Sequence, residues 1–181
     1  MQSIKNVFYI GHGPSSSHTI GPTNAVRYIL ETYKDIDSIK VTLCGSLAST
    51  GKGHLTDYII DKYLKGINHR IVFDARKKTK HPNTMIFETT LKSGVKKKDV
   101  IASIGGGAIS INKEKKQDGS DLYPHHTLSE IMHYCREYGY SLWEYVLFHE
   151  GESILSYIDE IYSAIKESVQ RGITAEGELP G

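Results

Sequence analysis

Three serines and a histidine, Ser15-Ser16-Ser17-His18, are followed by Thr19 and flanked by Gly11, Gly13, Pro14, Gly21 and Pro22. They run directly into an amphipathic stretch. Hydroxyls, free backbone N–H groups and a titratable ring then share one small volume at a helix start. Such a terminus carries unsatisfied donors and a partial positive charge, which suits a carboxylate or phosphate. A single serine suffices for ordinary capping. This composition exceeds that need and points to a small-anion site.

A second glycine-rich stretch, Gly45-Ser46-Leu47-Ala48-Ser49-Thr50-Gly51-Lys52-Gly53-His54, links a strand pattern to a helix pattern. Backbone amides at such a junction can surround an anion. The nucleotide P-loop spacing is absent, because Gly45 and Lys52 are too far apart and His54 stands in place of the hydroxyl. His54 and Asp57 are three residues apart, a spacing that would let a carboxylate orient the imidazole. His81-Pro82-Asn83-Thr84 forms a proline-fixed turn that offers the Asn83 amide. Ser103-Ile104-Gly105-Gly106-Gly107 lacks side chains where a ligand or another chain could approach the backbone. A Ser-His-Asp hydrolase built from Ser15–Ser17, His54 and Asp57 lacks the GxSxG elbow.

The elements that position these residues follow from periodicity. Val26, Ile29, Leu30 and Tyr33 predict a helix from about 17–22 to 33. Alternating Ile39, Val41 and Leu43 predict a strand ending at Cys44-Gly45. Leu55, Ile59, Ile60, Tyr63 and Leu64 predict a helix closed by Gly66. Short strands are expected at 71–73 and 84–91, with strand character on both sides of Gly105–Gly107. After Pro124 the pattern is helical: 128–139, a shorter helix capped by Ser141, and a longer one through Ile154, Ile158, Ile161, Ile165 and Val169. The expected class is α+β, with helices packed on a mostly antiparallel sheet. The lysine clusters at 76–80, 96–98 and 113–116 read as solvated turns. His12, His69, His125, His126, His133 and His149 carry no motif.

The chain has 181 residues, 39% hydrophobic and 24% charged, with a net charge of +1. These are values of a globular chain with a real core, and they give no electrostatic case for nucleic acid or membrane. No signal-peptide layout opens the chain, and no apolar run reaches membrane length. Two cysteines, Cys44 and Cys135, make no disulfide framework, so a cytoplasmic setting is expected. Neither a zinc nor an iron–sulfur ligand set can be assembled from them, so no metal site is expected in this chain.

Taken in order, GPSSSHTIGP, GSLASTGKGHLTD, HPNTM, SIGGGAISI and RGITAEGELPG resemble the β domain of bacterial iron–sulfur L-serine dehydratases, over nearly the whole chain. The resemblance implies conversion of L-serine to pyruvate and ammonia in amino-acid catabolism and gluconeogenesis. It implies a [4Fe–4S] cluster held by a separate α domain and none bound here. It implies a fold similar to the allosteric substrate-binding domain of some D-3-phosphoglycerate dehydrogenases. It carries His18, His54 and His81 as catalytic candidates, and Ser15, Ser16, Ser17, Thr19, Lys52 and Asn83 as substrate-binding candidates. Residues 1–150 would form the β domain and 151–181 a helical connector toward the α domain. TAEGELPG resembles the junction where the α domain begins, so the chain is expected to be truncated and inactive alone. Expected partners are L-serine, an α domain or subunit, and other copies in a homo- or hetero-oligomer. The alternative is a regulatory module that senses a small carboxylate without chemistry.

Overall fold

The computed structural model describes residues 1–112, 114–115 and 121–178, which fall into two compact units. One unit spans Gly11–Lys116. The other combines Met1–Ile10 with Gln117–Glu178. The expected division at 150 describes a family domain and its connector, and the contact-defined units are cut elsewhere.

In the first unit, α1 (Ile20–Thr32) leads into β1 (Ile36–Cys44). Two helices, α2 (Ser46–Thr50) and α3 (Thr56–Tyr63), then cross over to β2 (Asn68–Asp74), which pairs parallel with β1. From there β3 (Thr84–Leu91), β4 (Lys96–Gly105), β5 (Ala108–Ile111) and β6 (Glu114–Lys115) add antiparallel. The strand order is β2-β1-β3-β4-β5-β6. This is the α+β sheet-and-helix arrangement expected from the sequence. Alternation on β1 turns Ile39, Val41 and Leu43 inward, with Phe87 opposite Val41 and Met85 opposite Leu43. Val26 and Ile29 of α1 and Ile60 of α3 close over them, all fully buried. Burial of one such side chain is worth about 1.5–3 kcal/mol.

Three local readings change. α2 was expected as loop, because five residues are too few for periodicity to register. The Gly105–Gly107 stretch closes a hairpin, and the pairing shifts register between Ser103 and Gly105. All three residues have positive φ; Gly105 ends β4 opposite Ala108, and Gly106-Gly107 make the turn into β5. Lys96–Lys98 lie inside β4, opposite Thr90, Thr89 and Glu88, with their side chains exposed.

The second unit contains α4 (Leu128–Tyr138), α5 (Leu142–Glu150) and α6 (Ser153–Thr174). Thr127 with Glu130, and Ser141 with Glu144, form capping boxes that start α4 and α5. Glu150 anchors the N-terminal segment to α5. Its carboxylate accepts from Tyr123 Oη at 2.6 Å, from the Ile4 N–H at 2.8 Å and from Ser3 Oγ at 2.8 Å. Burial alone would raise its pKa, but these donors and Lys5 hold the carboxyl below the usual range. The stabilisation is therefore present above the unfolded carboxylate value and is lost as pH falls through the depressed one. Glu150→Ala is expected to cost this unit about 2–3 kcal/mol, because it strands charge-assisted donors. Urea denaturation followed by fluorescence of Trp143, on α5, measures it; a change within noise removes Glu150 as the anchor.

Among the described residues no helix is long and apolar enough to cross a membrane.

Candidate functional site

Sheet register explains why distant motifs meet. Leu43 pairs with Met85, and Thr84 with Ala102. The end of β1, the start of β3 and the end of β4 therefore share one edge of the sheet. The loops leaving or entering there are Gly45–His54, His81–Asn83 and Ser103–Gly107. Ligand sites favour such an edge, where strand ends release their loops.

Close backbone contacts fix the loops together. The Ser46 N–H donates to the Pro82 carbonyl at 2.9 Å, and the Ser103 N–H donates to the Asn83 carbonyl at 2.9 Å. α1 reaches the same edge. Asn24 Nδ2 donates to the Gly107 carbonyl at 2.8 Å. A Cβ on Gly21 would lie 2.1 Å from Ser103 Oγ, so only glycine lets the helix approach β4 this closely.

His18 lies at the centre, only 7% exposed. Its Nδ1 faces Ser15 Oγ at 3.2 Å and Ser17 Oγ at 3.1 Å, while Nε2 faces Thr50 Oγ1 at 2.9 Å. Thr50 donates its own hydroxyl proton to the Ser46 carbonyl at 2.9 Å. The Thr50 oxygen must therefore accept from His18 Nε2–H, which leaves Nδ1 as the acceptor toward the two serines. The His54 ring lies 4.6 Å from that of His18, centroid to centroid. His54 Nδ1 donates to the Thr50 carbonyl at 2.9 Å, so its Nε2 keeps a lone pair. His81 is the opposite tautomer. Its Nδ1 accepts from the Asn83 N–H at 3.1 Å, so the ring N–H is on Nε2. One ring can accept a proton and another can donate one.

Burial, and then the nearby His54, push the His18 pKa below its ordinary value; the Ser46 carbonyl opposes them in part. A depressed histidine stabilises the fold above the unfolded value of 6.5, and that contribution is lost as pH falls toward the folded value. His18→Asn is therefore expected to flatten the loss of thermal stability between about pH 7.5 and about pH 5.5. Melting curves at both pH values test this, and equal slopes for variant and parent would remove His18 as the acid-sensitive group.

Ser15 and Ser17 are half-buried against His18 and 3.2 Å from each other. Ser16 is exposed, and its carbonyl takes the Gly21 N–H at 2.9 Å. With that N–H occupied and Pro22 lacking one, the terminus of α1 presents fewer free amides than the sequence suggests. Thr19 is fully buried; its hydroxyl reaches the Ser15 carbonyl at 2.8 Å and the His12 carbonyl, bracing the serine turn. Lys52 is exposed with Nζ 5.6 Å from the Phe73 ring centroid on β2, so its recorded contact is not with the serines. Asn83 Oδ1 is buried without a partner among the described residues, as is Ser103 Oγ. Asp57 accepts from the Tyr58 N–H at 3.0 Å, so the Thr50 carbonyl, not Asp57, orients His54. Thr50 and Ser46 are the residues that sequence reasoning missed. They stood inside a quoted motif, but a hydroxyl or carbonyl gains a role only from what faces it.

An iron–sulfur cluster does not fit the residues present. Cys44 and Cys135 are buried, they lie in separate compact units, and burial pushes the Cys44 thiol up. Among the described residues no group of three or more His, Cys, Asp or Glu is placed to hold a metal ion.

The fold and the site thus define a sheet-and-helix domain that gathers hydroxyls, an amide and three imidazoles at one sheet edge. Residues 3–69, which include the serine turn and the glycine-rich loop, match the family described as serine dehydratase beta chain. The chain is 30% identical to an L-serine dehydratase of Helicobacter pylori over 230 residues, covering 99% of this chain and 50% of that protein. It is 27% identical to L-serine dehydratase 2 of Escherichia coli, covering 100% of this chain and 51% of that protein. It is 28% identical to an L-serine dehydratase of Streptomyces coelicolor, covering 99% and 51%. The chain spans about half the length of the curated relatives it matches. The resemblance to serine dehydratase β chains read from the motifs is thereby borne out.

Proposed function

We propose that this chain supplies the β-domain half of an L-serine dehydratase site, which converts L-serine to pyruvate and ammonia. The observation that carries the reading is the His18–His54 ring pair, with two serine hydroxyls facing His18 Nδ1. In this reading one of the Ser15 and Ser17 hydroxyls donates to His18 Nδ1, which fixes the pair, and the other donates to the substrate carboxylate. The orphaned Asn83 Oδ1 accepts from the substrate ammonium. His54 Nε2 removes the α-proton, and His81 offers its Nε2–H as a donor. Ser16 and Thr19 shape the turn, and Lys52 adds positive charge at the rim. The [4Fe–4S] cluster belongs to an α domain outside these residues. Residues 1–150 act as the β domain and 151–181 as the connector. Two free thiols suit a reducing cytoplasm.

The test mixes the purified chain with a separately produced α-domain protein under anaerobic conditions and measures pyruvate from L-serine. Neither protein alone is expected to turn over, and the mixture is. L-serine binding by this chain in calorimetry, with no pyruvate after mixing, would overturn the catalytic reading and leave a carboxylate sensor.

A further inference from the structure

α6 is a 22-residue helix with two apolar stripes. One stripe, Ile154, Tyr157, Ile161 and Ala164, is buried or half-buried and belongs to its first half. Tyr157 Oη there donates to the Lys5 carbonyl at 3.0 Å and to the Phe8 carbonyl. The other stripe, Leu155, Ile158, Tyr162, Ile165 and Val169, is 45–64% exposed along its length. Its spacing alternates three and four residues without interruption, and Gly172 follows in the same series. That is an a/d spacing, which suits pairing with another helix.

We propose that this stripe is covered by the α6 stripe of a second copy of the chain, running antiparallel. Three features of the sequence fit that occupant. Setting Tyr162 opposite the second copy's Ile165 sets Ile158 opposite Val169 and the large Leu155 opposite the small Gly172. The outer layers then join a large residue with a small one, and the inner layers are hydrophobic on both sides. The same register brings Asp159 and the second copy's Lys166 together on the open flank, twice by symmetry, so the edge is charge-complementary to itself. An antiparallel arrangement also places the half of α6 already packed within its own unit beside the other copy's free half. A parallel pair would set Asp159 and Lys166 against Ile154 and Ile161, and it would lose both ion pairs. This inference is independent of the catalytic reading.

The test is the oligomeric state of the full chain, followed by sedimentation across a concentration series. The parent is expected to be dimeric. Ile165→Glu is expected to weaken the dimer about a hundredfold or more, while its circular dichroism stays that of the parent, because Ile165 is exposed in the single chain. Asp159→Lys and Lys166→Asp are each expected to weaken self-association about tenfold. Mixed in equal amounts, these two variants restore opposite charges at both pairs and are expected to form a heterodimer at the strength of the parent. A monomeric parent at the highest soluble concentration overturns the proposal. So does a dimer indifferent to Ile165→Glu, a mixture no stronger than either variant alone, or a stripe that is covered only when an α-domain protein is added.

Discussion

Replacing His54 by Ala in the assembled enzyme is expected to lower turnover about 10²–10⁴-fold, the usual contribution of a positioned general base. The base is set by which ring nitrogen is free. The Thr50 carbonyl holds the His54 Nδ1–H at 2.9 Å, which fixes the ring and leaves the Nε2 lone pair available. His18 cannot substitute, because its lone pair faces Ser15 and Ser17 and its own N–H is committed to Thr50. Burial further depresses the basicity of His18. The loss should fall mainly on kcat, since binding is assigned to the serines and Asn83, and added imidazole should restore part of it. Steady-state pyruvate formation with a saturating α-domain partner is the measurement. Turnover within twofold of the parent, in a variant with unchanged melting, would take His54 out of the chemistry.

Gly45→Ala is expected to destabilise the sheet-bearing unit by about 2–4 kcal/mol and to separate two loops of the site. Gly45 has φ +54 and ψ −123, a region that a Cβ makes costly. Its added Cβ would also lie 2.5 Å from the Pro82 carbonyl oxygen and 3.2 Å from two further backbone atoms of Pro82. Backbone on both sides leaves nothing flexible to give way. Relief requires the Gly45–His54 loop to part from the His81–Asn83 turn, which breaks the hydrogen bond from the Ser46 N–H to the Pro82 carbonyl. Far-UV circular dichroism in urea reads the stability, and KM for L-serine in the assembled enzyme reads the separation of the loops. Gly53→Ala is the control. It lies in the same loop, its Cβ would meet only the Thr50 carbonyl oxygen at 3.8 Å, and it is expected to change stability by less than about 0.5 kcal/mol. Equal effects of the two variants would show that the steric argument at Gly45 is wrong.

Local features were legible in the sequence because their causes are local. The apolar spacing of Val26, Ile29 and Leu30 defines a helix face whatever it packs on. The alternation of Ile39, Val41 and Leu43 gives β1 one buried face, and Ser141 with Glu144 starts α5 by a bond that closes within three residues. β1 and β2 extend beyond the expected strands, because exposed polar residues at their starts pair through the backbone without marking the hydropathy. The candidate residues at His18, His54, His81 and Asn83 stood out for the same reason, as unusual chemistry in short glycine- and proline-bounded motifs.

Sequence by itself thus determined the inventory: which side chains are available, and which of the longer stretches are helix or strand. Tertiary structure alone decided the assignments. That the free lone pair is on His54, while that of His18 is engaged by Ser15 and Ser17, follows from Thr50, whose carbonyl takes the His54 Nδ1–H and whose hydroxyl donates to the Ser46 carbonyl. The partner of Asp57 proved to be the backbone N–H of Tyr58, although its spacing suggested His54. Meeting of the motifs depends on strand register, which sets the end of β1 beside the start of β3 across about forty intervening residues. Periodicity records what each segment turns inward. Which inward faces and loop ends then become neighbours is a property of the sheet as a whole.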